Sequence, residues 1–111
     1  MNYLLDTCTV SDFFKKVPTV ISHFSSLSPS QLYISTITIM EIEYGLKLNT
    51  EREVKIRPLW TALLQNISVV SFSHEDAIFA AKVRAHLKGV GLPIGAYDIL
   101  LAGTALANNY I

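Results

Sequence analysis

Three carboxylates fall where a hard divalent cation could be held. Asp98 stands in the stretch from Gly91 to Ala102, where Gly91, Pro93 and Gly95 punctuate a loop and an apolar helix runs from Ala96 to about Asn108. A carboxylate in the first turn of a helix is favoured in its charged form by the helix dipole. A charged oxygen at the rim of a core is a ligand of the kind that hard cations take. Asp6 ends the short apolar run Tyr3-Leu4-Leu5 and opens the polar cluster Asp6-Thr7-Cys8-Thr9. That reads as a buried strand ending in an acid, and sites in open α/β sheets form at the carboxyl ends of strands. A plainer role is equally open to these residues, since Asp6 or Thr7 could simply cap the helix that follows.

The third acid is Glu41. Ser35 or Thr36 caps a helix that runs through Glu41, Glu43 and Gly45 to about Leu48. Residues two apart do not share a helix face, so at most one of the two glutamates can point at a site. Glu43 has Lys47 four residues on, a favourable surface pairing, and is assigned to solvent. Glu41 lies among Ile37, Met40 and Tyr44, where a carboxylate is costly unless paired or metal-bound. Its other reading is a side chain that reaches solvent at the edge of the apolar stripe.

The elements that must position these acids follow from the hydrophobic pattern. Strands are expected at Tyr3–Leu5, Leu32–Ile34 and Ile67–Phe72, and Tyr110-Ile111 looks like the start of a fourth. Helices are expected over Val10–Lys16, Val17–Ser26, Thr50–Asn66 with a break or kink at Pro58, and from Ser73 to about Lys88. Ser73 with Asp76 three residues on is a capping-box start, which accounts for Asp76 without chemistry. The alternation implies an α/β fold with a parallel sheet covered by helices.

Composition narrows the function. The 111 residues suit one domain, residues 1–111, and half of them are hydrophobic, which excludes a disordered chain. Nine basic and nine acidic residues cancel, so no basic field advertises wholesale nucleic-acid binding. Arg84 and Lys88 are local candidates for phosphate contact. No apolar run reaches the roughly 18 residues of a membrane span, and no basic leader precedes Tyr3, so a cytoplasmic protein is expected. Cys8 is the one cysteine and reads as a buried inert thiol. There is no GxGxxG and no Walker A motif.

Three motifs taken in order carry a resemblance: Leu4-Leu5-Asp6-Thr7-Cys8, Ile37 through Glu41 to Gly45, and Gly91 through Asp98 to Ala102. Together the chain resembles a PIN domain, and more narrowly the VapC toxin ribonucleases of bacterial type II toxin–antitoxin pairs. The resemblance implies a parallel sheet with acids at its carboxyl edge. It implies that Asp6, Glu41 and Asp98 hold Mg²⁺ or Mn²⁺, that Thr7 orients a ligand or water, and that RNA is hydrolysed to a 5′-phosphate and a 3′-hydroxyl. The implied partners are an antitoxin whose tail wraps the toxin's helices, an RNA substrate and a second toxin copy. Phe13, Phe14, Phe24 and Trp60 lie where such protein contacts would fall. Family members continue past Ile111 through a completed strand, a fourth acid and a last helix and strand. The resemblance therefore implies a PIN-like sheet lacking that C-terminal segment. An alternative function follows, a catalytically impaired PIN module that still binds an antitoxin. A DNA-processing nuclease is the weaker third reading, because the chain lacks the basic arches such enzymes use.

Overall fold

The computed structural model describes residues 1–92 and 94–111. The expected turn at Pro93 lies outside the described residues. In chain order the elements are β1 (Tyr3–Leu5), α1 (Thr7–Phe14), α2 (Pro18–Ser26), a 3-10 turn (Pro29–Gln31), β2 (Leu32–Ser35), α3 (Thr36–Lys47), α4 (Thr50–Asn66), β3 (Ser68–Val70), α5 (His74–Gly89) and α6 (Ala96–Asn108). The expected α/β fold with a parallel sheet is thus borne out.

β1 pairs with β2 and β2 with β3, all in parallel. Leu5 stands opposite Ile34, and Ile34 opposite Val69. The chain end adds to this sheet. The Ile111 N–H donates to the Asn2 carbonyl at 2.9 Å, and the Ile111 carbonyl accepts from Leu4 N–H at 3.0 Å. Bonds from one residue to the two flanking Tyr3 form the slanted pattern of a parallel ladder, on the edge of β1 away from β2. The strand start expected at Tyr110-Ile111 is therefore in place. Tyr110 stacks on Tyr33 with centroids 4.7 Å apart. Burial pushes the Tyr110 phenol up from its ordinary value, and the neighbouring Tyr33 and Asp76 add to the shift.

The core lies between β1, β2 and helices α1, α3 and α4. Leu5, Val10, Phe14, Ile34, Leu46 and Trp60 are among its buried members. Phe14 meets Trp60 edge to face at 5.9 Å. Both aromatics are spent on the core, so of the four residues expected at a protein contact only Phe13 and Phe24 remain partly accessible. These two stack at 5.1 Å.

Three boundaries differ from expectation for local reasons. α1 begins at Thr7 and not Val10, because Asp6 caps it: Asp6 Oδ1 accepts from Thr9 N–H at 2.7 Å. α4 runs unbroken through Pro58, whose ring sits on an exposed face of the helix. β3 stops at Val70, ahead of the Ser73 cap of α5.

α5 and α6 form a tightly packed pair. A Cβ added at Gly103 would lie 2.6 Å from both the Ala80 nitrogen and the Asp76 carbonyl oxygen. The capping box of α5 is present, as expected, and Asp76 does more than close it. Its carboxylate also accepts from the Thr104 hydroxyl (3.1 Å) and the Asn108 amide (3.0 Å) on α6. Burial would raise this carboxyl, but the Ser73, Thr104 and Asn108 hydrogen bonds outweigh burial and hold it below its ordinary value.

Candidate active site

Asp6 stands at the carboxyl end of β1 and is exposed. One of its oxygens caps α1, so its capping role is real and leaves the second oxygen outside that bond. The next residue turns inward. Thr7 Oγ1 donates to Glu41 Oε1 at 2.8 Å and joins the first turn of α1 to the middle of α3. Glu41 is half-buried, and this hydroxyl is its one hydrogen-bond partner among the described residues. Glu41 therefore faces the α1 side and is not a solvated edge residue.

Asp98 is the third residue of α6, in the first turn, and is exposed. Its Oδ2 folds back over the helix start, within 3.4 Å of where a Gly95 Cβ would be. Gly95 itself offers no side-chain cap. α6 packs on α3 as well as on α5, so the helix carrying Asp98 neighbours the helix carrying Glu41. Among the described residues, no three side chains of the His, Cys, Asp and Glu types are grouped closely enough to hold one metal ion. By donor type alone, three carboxylates and the Thr7 hydroxyl on one of them, the residues suit a hard cation such as Mg²⁺ or Mn²⁺, although the three are not drawn together.

Two expectations are corrected here. Glu43 is not a solvent residue. Its carboxylate is forked by Arg57 (2.7 and 3.0 Å) and accepts the Trp60 indole N–H at 2.7 Å. The Lys47 contact is present but longer, at 3.8 Å. The Arg57 hydrogen bonds outweigh partial burial and, with Trp60, hold Glu43 down at about 2. Cys8 is exposed, not buried, because α1 starts early enough to turn it outward.

Arg84 and Lys88 are exposed and one turn apart on α5. A further cation escaped the sequence reading. Arg52, in the first turn of α4, lines a cleft of about 120 Å³ with Thr7, Ser11, Glu41 and Gly45. Its signal in the sequence was weak, a base in a helix turn where the dipole prefers acids. A second, apolar groove of about 480 Å³ is lined by Phe13, Lys16, Pro18, Ile21, Ser22 and Leu59. No helix is long and apolar enough to cross a membrane among the described residues.

The PIN domain family model matches residues 3–111. A tRNA(fMet)-specific endonuclease VapC of Salmonella typhimurium is 30% identical over 95% of this chain and 79% of its own length. A solved DNA-bound VapBC from Salmonella typhimurium superposes with TM-score 0.84 at 30% identity, over 99% of this chain and 83% of that one. FitAcB of Neisseria gonorrhoeae gives TM-score 0.86 at 27% identity, over 97% of this chain and 83% of that one. With the parallel sheet, the acid at the end of β1 and this end-to-end match together, the chain belongs to the PIN domain family, among its VapC-like members.

Proposed function

We propose that the chain is a Mg²⁺- or Mn²⁺-dependent endoribonuclease toxin of a type II toxin–antitoxin pair, hydrolysing RNA phosphodiesters to a 5′-phosphate and a 3′-hydroxyl. The observation that carries the reading is the Thr7–Glu41 hydrogen bond next to Asp6 at the carboxyl end of β1. The bond supports the reading because it ties Glu41 of α3 to the residue that follows Asp6, at the sheet edge where α/β folds build their sites. The kinship with proteins named VapC endonucleases supports the reaction class.

Asp6, Glu41 and Asp98 would hold the ion through carboxylate oxygens. A divalent ion supplies a water of lowered pKa and offsets charge that builds on the scissile phosphate. Thr7 fixes one oxygen of Glu41, which leaves the other free to act. The N-cap bond does the same for Asp6 by occupying Oδ1. Arg84 and Lys88 extend the contact to neighbouring phosphates of the RNA backbone.

The partner in this reading is an antitoxin, in keeping with solved relatives that are VapBC and toxin–antitoxin complexes. The groove beside Phe13 and Leu59 suits its apolar segment. Met40 and Tyr44 on α3 and Leu48 at its C-cap, spaced by four and exposed, suit a second toxin copy. Action on RNA inside the cell makes the cytoplasm its place. One observation favours the alternative, an impaired PIN module that still binds an antitoxin: among the described residues no three acids are gathered on one point.

The deciding experiment is Mn²⁺ titration by calorimetry on this chain and on Asp98→Asn, with an RNA cleavage assay on both. The toxin reading expects binding and cleavage in the first and loss of both in the second with the fold intact. Undiminished cleavage by Asp98→Asn, or no Mn²⁺ binding by either, overturns it.

A further inference from the structure

The cleft beside Glu41 is lined by a cation that makes no ion pair among the described residues. Arg52 is half-buried and lines the same 120 Å³ space as Thr7, Ser11 and Glu41. Among the described residues no carboxylate oxygen lies within 4.0 Å of its guanidinium. The contrast with Arg57 one and a half turns on is sharp, since Arg57 binds both Glu43 and Glu53. Helix energetics do not explain Arg52 either. The first turn of α4 carries Glu51 and Glu53, which suit the dipole, whereas a base between them opposes it. Asn49 already caps the Arg52 N–H at 3.1 Å, so the turn is complete without its side chain.

A site made of carboxylates repels a polyanion. Some fixed positive group must offset that repulsion where the backbone enters, and a guanidinium does so with a fork that matches two phosphate oxygens. We infer that Arg52 is a positioning residue that receives the non-bridging oxygens of an RNA phosphate at the mouth of the cleft beside Glu41, with the Ser11 hydroxyl as a second donor. This rests on the ribonuclease reading and adds to it the element that seats the substrate.

The test uses a fluorescein-labelled single-stranded RNA oligonucleotide, with binding followed by anisotropy in EDTA and cleavage followed in Mn²⁺. Wild type, Arg52→Gln, Arg52→Lys and the exposed control Lys55→Gln are compared. Removing the fork is expected to weaken RNA binding roughly tenfold. It is also expected to flatten the dependence of log K on log salt by about 0.7, the slope of one single-strand phosphate contact. Arg52→Lys is expected to restore part of the affinity and less of kcat, because a point charge attracts phosphate without fixing its orientation. Lys55→Gln stays close to wild type. Equal affinity, salt slope and kcat in wild type and Arg52→Gln overturn the inference, and so does an equal loss in Lys55→Gln. A wild type that binds the oligonucleotide without cleaving it overturns the ribonuclease reading instead, and the anisotropy comparison still decides Arg52. Thermal unfolding of each variant separates lost binding from lost fold.

Discussion

The indole N–H of Trp60 donates to Glu43 Oε2 at 2.7 Å, so the most deeply buried aromatic of the core is anchored to the carboxylate that Arg57 also forks. The bond joins α3 to α4 and satisfies a polar group that would otherwise be buried alone. It also ties the helix bearing Glu41 to the core. Glu43 and Glu41 are two residues apart on α3, so Glu43 anchors the helix to α4 from one face while Glu41 meets Thr7 of α1 from another.

The anchor makes stability pH-dependent. The folded carboxyl of Glu43 is lowered from 4.5 to about 2, so its contribution is complete above about pH 4.5 and is lost as pH falls toward 2. Glu43→Gln is expected to lower stability at neutral pH by about 1–2 kcal/mol, a figure reduced for the partial exposure of the pair. Urea unfolding at pH 7 and pH 3 should show the gap between wild type and variant narrowing at the lower pH. A gap that stays constant or widens would falsify the anchor.

What was legible in the sequence and what was not divides by distance along the chain. Strand β2, α6 and the capping box at Ser73 depend on neighbours within a turn, and the apolar runs and cap residues marked them. Glu43 was misassigned because Lys47 supplied a local partner, while Arg57 and Trp60 lie 14 and 17 residues away. Cys8 was misplaced because the start of α1 turns on the Asp6 cap, and a shift of three residues rotates every side chain on the helix. The Thr7–Glu41 bond spans 34 residues and follows only from the fold. The apolar neighbours that single out Glu41 are only partly real, since Met40 and Tyr44 are exposed and the buried face of α3 is Thr38, Ile42 and Leu46; what half-buries Glu41 is its contact with Thr7.

Gly103 sets how closely α5 and α6 approach. A methyl group there meets backbone atoms of Asp76 and Ala80, which cannot rotate away. Gly103→Ala is expected to destabilise the protein by about 1–3 kcal/mol despite its better helix propensity. Adding Ala80→Gly removes the side-chain clash at 2.7 Å and leaves both backbone clashes, so the double variant should be no more stable than Gly103→Ala. Thermal melts of the three forms check this, and full rescue by Ala80→Gly would show that the helices are held apart by side chains alone.

Thr7 orients Glu41 and should affect the site more than the fold. In Thr7→Val the hydroxyl is replaced by a methyl of the same shape, and Glu41 Oε1 loses its partner. Loss of such a bond is expected to reduce RNA cleavage roughly tenfold, with Thr7→Ser close to wild type. Unfolding should move by about 1 kcal/mol or less, because Glu41 is only half-buried and can turn to water. Equal cleavage by Thr7→Val and wild type would remove Thr7 from the site.

Thr38 and Thr104 offer a matched comparison of two buried hydroxyls. Both side chains are almost fully buried within helices. The Thr104 hydroxyl donates to Asp76, whereas Thr38 Oγ1 has no hydrogen-bond partner among the described residues. A buried polar group left unpaired opposes folding, and an apolar replacement of the same shape relieves that penalty. Thr38→Val is therefore expected to leave stability unchanged or raise it by up to about 1 kcal/mol. Thr104→Val should lower it by about 1–3 kcal/mol, because the Asp76 carboxylate loses a donor in a buried setting. Valine keeps the β-branch in both cases, so helix propensity nearly cancels from the comparison. Equal losses in the two variants would mean that the Thr38 hydroxyl has a partner of its own, and the first turn of α3 would then be the place to look for it.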